Sequence, residues 1–409
     1  MPPRPPARPH RSAVAGLAVA LALVASACGG GSGDPASTAG GPSPTAPASD
    51  LATRLRPVVT AAMADLSVPG AVVLVRTPTG EYREAFGTRR VRADDPVQVG
   101  DYFRVGSNTK TMTGTVVLQL VQEGRIALSD PVSKFRPDVP GGAGITIEQM
   151  LDMRSGLFNY TELESVNRTL DEDPTKAWRP EELVALGLSR PPYFPPGQGF
   201  HYSNTNTVLL GLIVEQLTGK QLGTVFQQRI FTPLGLRNTL LPAITSNDIP
   251  DTHPQGYLFG TNVSTMTDPA LPPDQQAAAR NRTLQPNDVT DLNPSWAWAA
   301  GAAISTAEDL ATYVKPLVTG GLLDATVQKQ RLDSLAPTDP ADPNSASYGL
   351  ALARFGPMIG HDGALPGYQS FMGYDPAAGN TLIVLTNLQN APDGTQAAND
   401  IARRVIPLL

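Results

Sequence analysis

Cysteine and histidine are scarce in this sequence of 409 residues, and their scarcity limits the chemistry of any site. Cys28 is the single cysteine, so no disulfide bond can form within the chain. The four histidines are scattered, with no His-Glu-x-x-His string and no pair of cysteines that would complete a metal-ligand cluster. We therefore expect neither a metal ion nor another cofactor.

The sequence also lacks a concentrated basic stretch and a long hydrophobic run. Its formal net charge is −6, and the arginines near Met1 belong to a targeting segment, which argues against a nucleic-acid partner. The apolar stretch at 13–25 is too short for an ordinary membrane-spanning helix. With 41% hydrophobic residues, the chain is nevertheless long enough to bury a large core in one or two lobes.

The N-terminal segment predicts the compartment. Arginines precede the apolar stretch and Ala-Ser-Ala-Cys follows it at 25–28, which resembles a bacterial lipoprotein signal with Cys28 as the lipid-attachment residue. The sequence thus predicts a signal peptide at 1–27, a flexible Gly/Ser/Pro-rich linker at 28–50 and a folded domain at 51–409. We expect an extracytoplasmic protein, held by lipid on the outer face of a bacterial cell membrane or, alternatively, simply secreted.

A serine and a lysine three residues apart stand at the start of a predicted helix. Residues 101–106 are strand-like, and apolar residues recur at helical spacing over 107–124. Ser107 therefore begins the helix, and Lys110 lies on the same face. A serine hydroxyl becomes a nucleophile when a base takes its proton, and lysine is such a base only when burial or nearby cations keep it neutral. The alternative is a helix-capping Ser107 beside a solvated Lys110.

A second group of polar residues precedes a buried helix. The loop at 195–204 is rich in proline and glycine and ends in Tyr202, Ser203 and Asn204, before an apolar run at 207–214. A phenol in this position relays a proton to a leaving group, and an amide holds both a lysine and a substrate carbonyl. The alternative is that Ser203, Asn204 and Thr205 only cap the helix and that Tyr202 packs on the surface.

His361, Asp362 and Gly363 lie on a third predicted element, before two strands. Residues 367–374 and 380–386 are joined by a turn sequence and predict a hairpin. A strand at the edge of a cleft offers backbone donors for an oxyanion and a side chain that tunes the local field. The alternative is a surface turn, because Asp-Gly is a common turn dipeptide.

The three groups resemble, in order and separation, the motifs of penicillin-recognising serine acyltransferases, which comprise DD-peptidases, class C β-lactamases and related esterases. The resemblance covers about residues 50–409 and includes Ser-Gly-Leu at 155–157 and the segment 298–306. A histidine in the third motif points to the secreted D-alanyl-D-alanine carboxypeptidase branch. Gly-x-Ser-x-Gly, Ser-Asp-Asn and Lys-Thr-Gly strings are all absent, which argues against α/β-hydrolases and class A β-lactamases.

The resemblance implies a role for each residue. Ser107 would form the acyl-enzyme, Lys110 and Tyr202 would share proton transfer, and His361 would replace the lysine of β-lactamases. The backbone N–H groups of Ser107 and Ala364 would form the oxyanion hole. The residues implied in substrate binding are Asn204, Gly363, Ala364, Arg354 and Trp298.

Asp362 departs from the pattern of this family. DD-peptidases usually carry Thr or Ser at this position, where a hydroxyl meets the substrate carboxylate. An aspartate would repel that carboxylate unless it points away or pairs with a cation such as Arg354. Asp362 therefore argues against the preference for a C-terminal D-alanine that the resemblance implies.

The resemblance and the periodicities predict an α+β fold with an antiparallel β-sheet flanked by N- and C-terminal helices and an inserted, mostly helical lobe. Helices are expected at 51–66 and 397–405 and a hairpin at 71–86. The polar, proline-rich stretch 241–294 is expected to form a long loop or small subdomain over the cleft.

We therefore expect a serine hydrolase, specifically a D-alanyl-D-alanine carboxypeptidase-like enzyme. Its partners would be peptidoglycan stem peptides or another small acyl donor, with β-lactam antibiotics as covalent ligands. Within this class, a serine esterase and a class C-like β-lactamase remain alternatives, since they differ in cleft shape. The alternative of another class is a non-catalytic lipoprotein that keeps the fold as a binding module.

Overall fold

The computed structural model describes residues 48–342 and 345–409. The predicted signal peptide, Cys28 and most of the predicted linker lie outside the described residues. Among those described, no helix combines the length and apolar character that a membrane span requires.

Eight strands form one antiparallel sheet, and their order differs from their order in the chain. The strands are β1 (Gly70–Thr77), β2 (Gly80–Gly87), β7 (Ala336–Pro337), β8 (Ser347–Gly349), β9 (Leu352–Phe355), β10 (Met358–Leu365), β11 (Tyr368–Asp375) and β12 (Asn380–Thr386). The sheet order is β2-β1-β12-β11-β10-β9-β8-β7. Two smaller pairs join β3 (Phe103–Arg104) to β6 (Ile304–Ser305) and β4 (Tyr257–Leu258) to β5 (Asn287–Asp288). Both predicted hairpins are present.

The first and last helices cover one face of the sheet, as the sequence predicts. They are α1 (Ala48–Leu66) and α12 (Ala397–Val405), and an ion pair of 2.7 Å between Asp65 and Arg404 joins them. Alternate residues of β1, such as Val73, pack in the core under these helices, while Leu74 packs in the core on the other face. Because both faces of β1 are buried, its sequence is a continuous apolar run.

The helical lobe packs on the opposite face. Its helices are α2 (Asn108–Gln122), α3 (Ile147–Leu151), α4 (Glu164–Glu172), α5 (Pro180–Leu188), α6 (Asn204–Thr218), α7 (Leu222–Phe226), α8 (Thr232–Leu234), α10 (Ala307–Thr319) and α11 (Ala325–Asp333). Helices α2 and α6 are buried along most of their length, so they carry few charged residues. The predicted α+β architecture is confirmed.

Residues 241–294 form a small subdomain that holds β4, β5 and α9 (Pro273–Arg280). It contacts both lobes. The Asp171 carboxylate of the helical lobe accepts hydrogen bonds from the backbone N–H groups of Asn262 and Val263, at 2.8 and 3.0 Å. At the other end, Ala270 forms a β-bridge with Asp393, which follows β12. The subdomain therefore bridges the two lobes.

Candidate active site

Ser107 lies at the first turn of α2, where the helical lobe meets the sheet. The preceding Gly106 has a φ of 54°, in the region that favours glycine. Side chains of the first turn hold this bend: Thr109 donates to the Gly106 carbonyl at 2.7 Å, and Asn108 donates to Ser370 Oγ on β11 at 2.7 Å. The predicted strand, bend and helix therefore present Ser107 at the junction of the lobes.

Lys110 is fully buried one turn further on, beside Ser107. Its Nζ lies 2.9 Å from Ser107 Oγ, 2.7 Å from Asn204 Oδ1 and 2.8 Å from the Ala300 carbonyl oxygen. Burial lowers the pKa of Lys110 well below its usual value of 10.5, and the charge of Asp362 opposes only part of this shift. The surroundings thus favour a neutral amine.

The hydrogen-bond partners fix the direction of that amine. A neutral amine has two N–H donors and one lone pair. Asn204 Oδ1 and the Ala300 carbonyl can only accept, so they take the two donors. The lone pair then faces Ser107 Oγ and can receive its proton. This is the geometry of a general base for acylation.

Tyr202 precedes α6 and places its ring beside Lys110, with Nζ 4.7 Å from the ring centroid. Burial and the nearby Tyr348 raise the pKa of the Tyr202 hydroxyl well above 10, so it is protonated at neutral pH. The Ser107 hydroxyl opposes part of this rise. Among the described residues the buried Tyr202 hydroxyl has no hydrogen-bond partner. It therefore keeps a proton that a substrate can accept.

Asn204, the first residue of α6, holds the lysine rather than the substrate. Its Oδ1 accepts from Lys110, while its Nδ2 donates to Asn159 Oδ1 at 3.3 Å and to Thr161 Oγ1 at 3.2 Å. The predicted contact with Lys110 is present. The predicted contact with a substrate carbonyl is not supported, because the amide hydrogens already face Asn159 and Thr161.

His361 on β10 is buried and neutral. Burial lowers its pKa to about 4, and Asp362 opposes part of the shift. Its Nδ1 lies 2.6 Å from the Asp362 carbonyl oxygen, which only accepts, so Nδ1 carries the hydrogen. Nε2 then accepts from the Tyr348 hydroxyl at 3.1 Å. His361 therefore occupies the predicted place near Tyr202 without supplying the positive charge of a lysine.

Asp362 points away from the serine. Its Oδ2 accepts a hydrogen bond of 2.7 Å from Asn399 Nδ2 on α12, on the face of the sheet that the terminal helices cover. Of the two alternatives, pointing away or pairing with Arg354, the structure shows the first: Asn399 satisfies the carboxylate, and Arg354 is exposed on β9. In the described part of the chain, Arg354 forms no ion pair, so its role in carboxylate binding stays a prediction.

Two glycines bring the predicted oxyanion donors together. A Cβ atom on Gly106 would lie 2.6 Å from Ala364 N, and one on Gly363 would lie 2.8 Å from Ser107 N and 2.1 Å from the Val105 carbonyl oxygen. Real side chains do not tolerate such distances, so glycine is required at both positions. The N–H groups of Ser107 and Ala364 thus lie in one small region, as an oxyanion hole requires.

Trp298 is not placed to bind substrate. Its side chain is 5% exposed and packs against α6, where a Cβ on Gly211 would lie 2.8 Å from the indole ring. The sequence could not show this, because an indole fits both a core and a cleft. The neighbouring Ala300 contributes instead, through the carbonyl that holds Lys110.

Three contributors to the site were missed from the sequence. Asn159 binds Asn204, Tyr348 binds His361, and the Ala300 carbonyl binds Lys110. Only Asn159 had a signal in the sequence, since it closely follows the Ser-Gly-Leu string at 155–157. The contact of the Ala300 carbonyl could not be predicted from the residue type, because every residue has a backbone carbonyl. The structure therefore brings Ser107, Lys110, Tyr202, Asn204, His361, Gly363 and Ala364 together and leaves the side chain of Trp298 in the core.

The model of a family described as "Beta-lactamase" matches residues 55–405 of the chain. The chain belongs to the beta-lactamase family. Because the family match covers nearly all of the described residues and the paired Ser107 and Lys110 lie within it, the protein is a serine hydrolase of the beta-lactamase and penicillin-binding protein family.

Relatives within the beta-lactamase family act on different substrates. A D-stereospecific amidohydrolase from Streptomyces sp. is 32% identical, with a TM-score of 0.71 over 86% of this chain and 97% of that one. The D-amino acid amidase of Ochrobactrum anthropi SV3 is 25% identical, with a TM-score of 0.72 over 88% and 98% of the two chains. Esterase EstB of Burkholderia gladioli is 35% identical over 205 residues, 47% of this chain and 52% of that protein. These similarities favour no specific relation to D-alanyl-D-alanine carboxypeptidases.

Proposed function

We propose that the protein is a serine amidohydrolase that cleaves amide or ester bonds next to a D-amino acid residue and releases an uncharged leaving group. Two similar structures carry names that specify D-amino acid or D-stereospecific amide substrates, and they align over nearly their whole length. Their similarity supports the substrate class, and the charges of the site support the uncharged leaving group.

The observation that carries the proposal is that neither Lys110 nor His361 offers a positive charge to a substrate carboxylate. The pKa of Lys110 is strongly lowered by burial and its donors are occupied, and His361 is neutral with both nitrogens engaged. An anion brought into such a site loses its hydration without gaining a partner. A primary amide or an ester avoids that cost.

The mechanism follows from the contacts. Ser107 attacks the substrate carbonyl carbon while Lys110 takes the hydroxyl proton. The N–H groups of Ser107 and Ala364 stabilise the oxyanion of the tetrahedral intermediate. Tyr202 then donates a proton to the leaving nitrogen or oxygen, and the proton on Lys110 replaces it. Water releases the acyl group by the reverse sequence of proton transfers.

Two other candidate functions have specific support. The partial similarity to EstB supports an esterase, and a D-alanyl-D-alanine carboxypeptidase acting on peptidoglycan peptides fits the predicted extracytoplasmic location. The carboxypeptidase differs in needing to accept a free carboxylate. β-Lactams carry a carboxylate as well, so we propose that they acylate Ser107 only slowly.

Matched substrate pairs test the proposal. We expect hydrolysis of D-phenylalanine amide at least about 10-fold faster than of the L-enantiomer, and the same preference for N-acetyl-D-Ala-D-Ala amide over the free acid. Ser107→Ala gives the background rate. A faster reaction with the free acid would favour the carboxypeptidase, and hydrolysis of p-nitrophenyl acetate without any D-amide would favour the esterase. Intact mass after exposure to benzylpenicillin reports the β-lactam adduct.

The cellular location is a separate proposal that rests on the N-terminal sequence. We propose that lipid on Cys28 holds the enzyme at the outer face of the cell membrane, near cell-wall substrates. Cell fractionation tests it: the wild type is expected with the membranes and the Cys28→Ala variant in the soluble fraction. Equal distribution of the two proteins would contradict the anchor.

A further inference from the structure

We infer that Ser370 is a positioning residue for the oxyanion hole. Ser370 lies on β11 opposite Gly363 of β10 and is fully buried. Its hydroxyl joins the two segments that carry the N–H donors of the hole and is not itself one of these donors. The inference rests on the acyl-serine part of the proposed function and is independent of which substrate is cleaved.

The two donors of the oxyanion hole belong to different parts of the fold. The Ser107 N–H lies in the bend at 105–108, between β3 and α2, whereas the Ala364 N–H lies on β10. Both must reach one oxygen atom, so the separation of the two segments must be held to within about 0.5 Å. Among the described residues, no backbone hydrogen bond joins the bend to β10 or β11. Side chains must therefore hold the separation.

Ser370 supplies the hydrogen bonds between these segments. Its Oγ donates to the Val105 carbonyl at 2.8 Å and accepts from Asn108 Nδ2 at 2.7 Å. Within the described chain, these are the two hydrogen bonds that join the bend to the hairpin of β10 and β11. One hydroxyl group therefore binds the bend on both sides of Ser107.

The Val105 carbonyl fixes the direction of both hydrogen bonds, because it can only accept. It takes the single hydrogen of the Ser370 hydroxyl, and Asn108 Nδ2 also donates to it at 3.1 Å. A reversed Asn108 amide would place two oxygen atoms against each other at this contact. The lone pair of Ser370 Oγ therefore faces Asn108 Nδ2, and no other arrangement of the three groups keeps both hydrogen bonds.

Gly363 permits the close approach of the two segments, and Ser370 holds it. A Cβ atom on Gly363 would lie 2.1 Å from the Val105 carbonyl oxygen and 2.8 Å from Ser370 Oγ. The absence of a side chain removes a steric obstacle but adds no attraction between the bend and β10. Without the Ser370 hydroxyl, the two segments lose the hydrogen bonds that set their separation. The two N–H groups then converge less well on one oxygen atom.

The other attachments of the bend do not involve Ser370. Val105 N donates to the Ala303 carbonyl at 3.0 Å, and Thr109 Oγ1 donates to the Gly106 carbonyl at 2.7 Å. Lys110 is held by Asn204 and by the Ala300 carbonyl. A Ser370→Ala variant should therefore keep the nucleophile and its base together. Its defect should fall on stabilisation of the tetrahedral intermediate rather than on proton transfer.

The experiment combines two measurements on Ser370→Ala. The first is acylation by p-nitrophenyl acetate in single-turnover kinetics across the pH range. The second is inhibition by phenylboronic acid, whose tetrahedral adduct with a serine places an oxygen atom in the oxyanion hole. We expect the plateau rate to fall by about 10-fold and the inhibition constant to rise by about the same factor. The limbs of the pH–rate profile should stay in place, because the surroundings of Lys110 are unchanged.

Thr386→Val is the matched control. Thr386 is also fully buried in the sheet, on the neighbouring strand β12, and its hydroxyl donates to the Leu388 carbonyl at 3.0 Å. Valine has nearly the same shape, so this variant loses a buried hydrogen bond of the same kind away from the bend. Its rate and its inhibition constant should equal those of the wild type, even if its stability falls as much as that of Ser370→Ala.

Ser370→Cys replaces the alanine variant if the latter does not fold. A thiol is a weaker donor than a hydroxyl, so both quantities should change in the same directions by about 3-fold or more. A wild-type rate, a lower rate with an unchanged inhibition constant, or a shifted acid limb in the variant that folds would overturn the inference. An equal loss of rate in Thr386→Val would overturn it as well.

The wild type separates these results from failure of the proposed function. Normal ester acylation without D-amide hydrolysis would overturn only the proposed substrate and leave the role of Ser370 standing. No ester acylation above that of Ser107→Ala would overturn the acyl-serine chemistry and, with it, the inference.

Discussion

Replacing Lys110 by methionine is expected to lower the acylation rate of Ser107 by about 10³-fold or more without unfolding the protein. Methionine has nearly the length of lysine and fits a fully buried site, but it has no lone pair to accept the serine proton. The loss follows from the 2.9 Å contact between Nζ and Ser107 Oγ. Single-turnover kinetics with p-nitrophenyl acetate measure it directly.

Lys134→Met is the control for this experiment. Lys134 is 53% exposed and pairs with Asp130 on the surface, so its loss should leave acylation unchanged. A Lys110→Met variant that acylates at the wild-type rate would show that another group takes the serine proton.

The same variant has a predicted effect on stability that changes with pH. The pKa of Lys110 is lowered in the folded state, so between that value and about 10.4 the unfolded chain binds more protons than the folded one. The free energy of unfolding of the wild type therefore contains a contribution that rises with pH across this window. Lys110→Met lacks it. Its stability relative to the wild type should be greatest below the window and decline toward about pH 10, as urea titrations would show.

Much of the fold was predictable because its elements have local signatures. The hairpin of β11 and β12 is marked by two apolar runs and a turn, and the terminal helices by their periodicity. The order of the strands within the sheet was harder to predict from the sequence. Val73 on β1 pairs with Val384 on β12, far away in the chain, and nothing in the sequence of either strand specifies the other as its neighbour. Edge strands such as β7, with two residues, are too short to produce a pattern.

The contact between Ser107 and Lys110 was predictable, because residues three apart on a helix lie on the same face. The site was not predictable where chemistry depends on which face of a strand a residue occupies. His361 and Asp362 are neighbours, yet one contacts Tyr348 and the other contacts Asn399 on α12. The charge of His361 depends on burial, which residue identity does not give.

Tyr202→Phe should separate catalysis from stability. The hydroxyl is buried without a hydrogen-bond partner among the described residues, so its removal costs no internal hydrogen bond. We expect an unchanged or slightly higher free energy of unfolding. The rate of acylation should nevertheless fall by about 10²- to 10⁴-fold, because the leaving group loses its proton donor. The rate should fall more with amide substrates than with p-nitrophenyl esters, since an amine leaving group needs protonation and p-nitrophenolate does not.

Tyr348→Phe is the matched comparison, because its hydroxyl lies in the same cluster but is hydrogen-bonded to His361 Nε2. Removing it leaves a buried imidazole nitrogen unpaired and should destabilise the protein by about 1 to 3 kcal/mol. Its rate should fall far less than that of Tyr202→Phe, because this hydroxyl donates to His361. The two variants should therefore show opposite patterns, one losing rate and the other stability. Equal losses of rate, or a destabilised Tyr202→Phe, would contradict the assignment of Tyr202 as the proton donor to the leaving group.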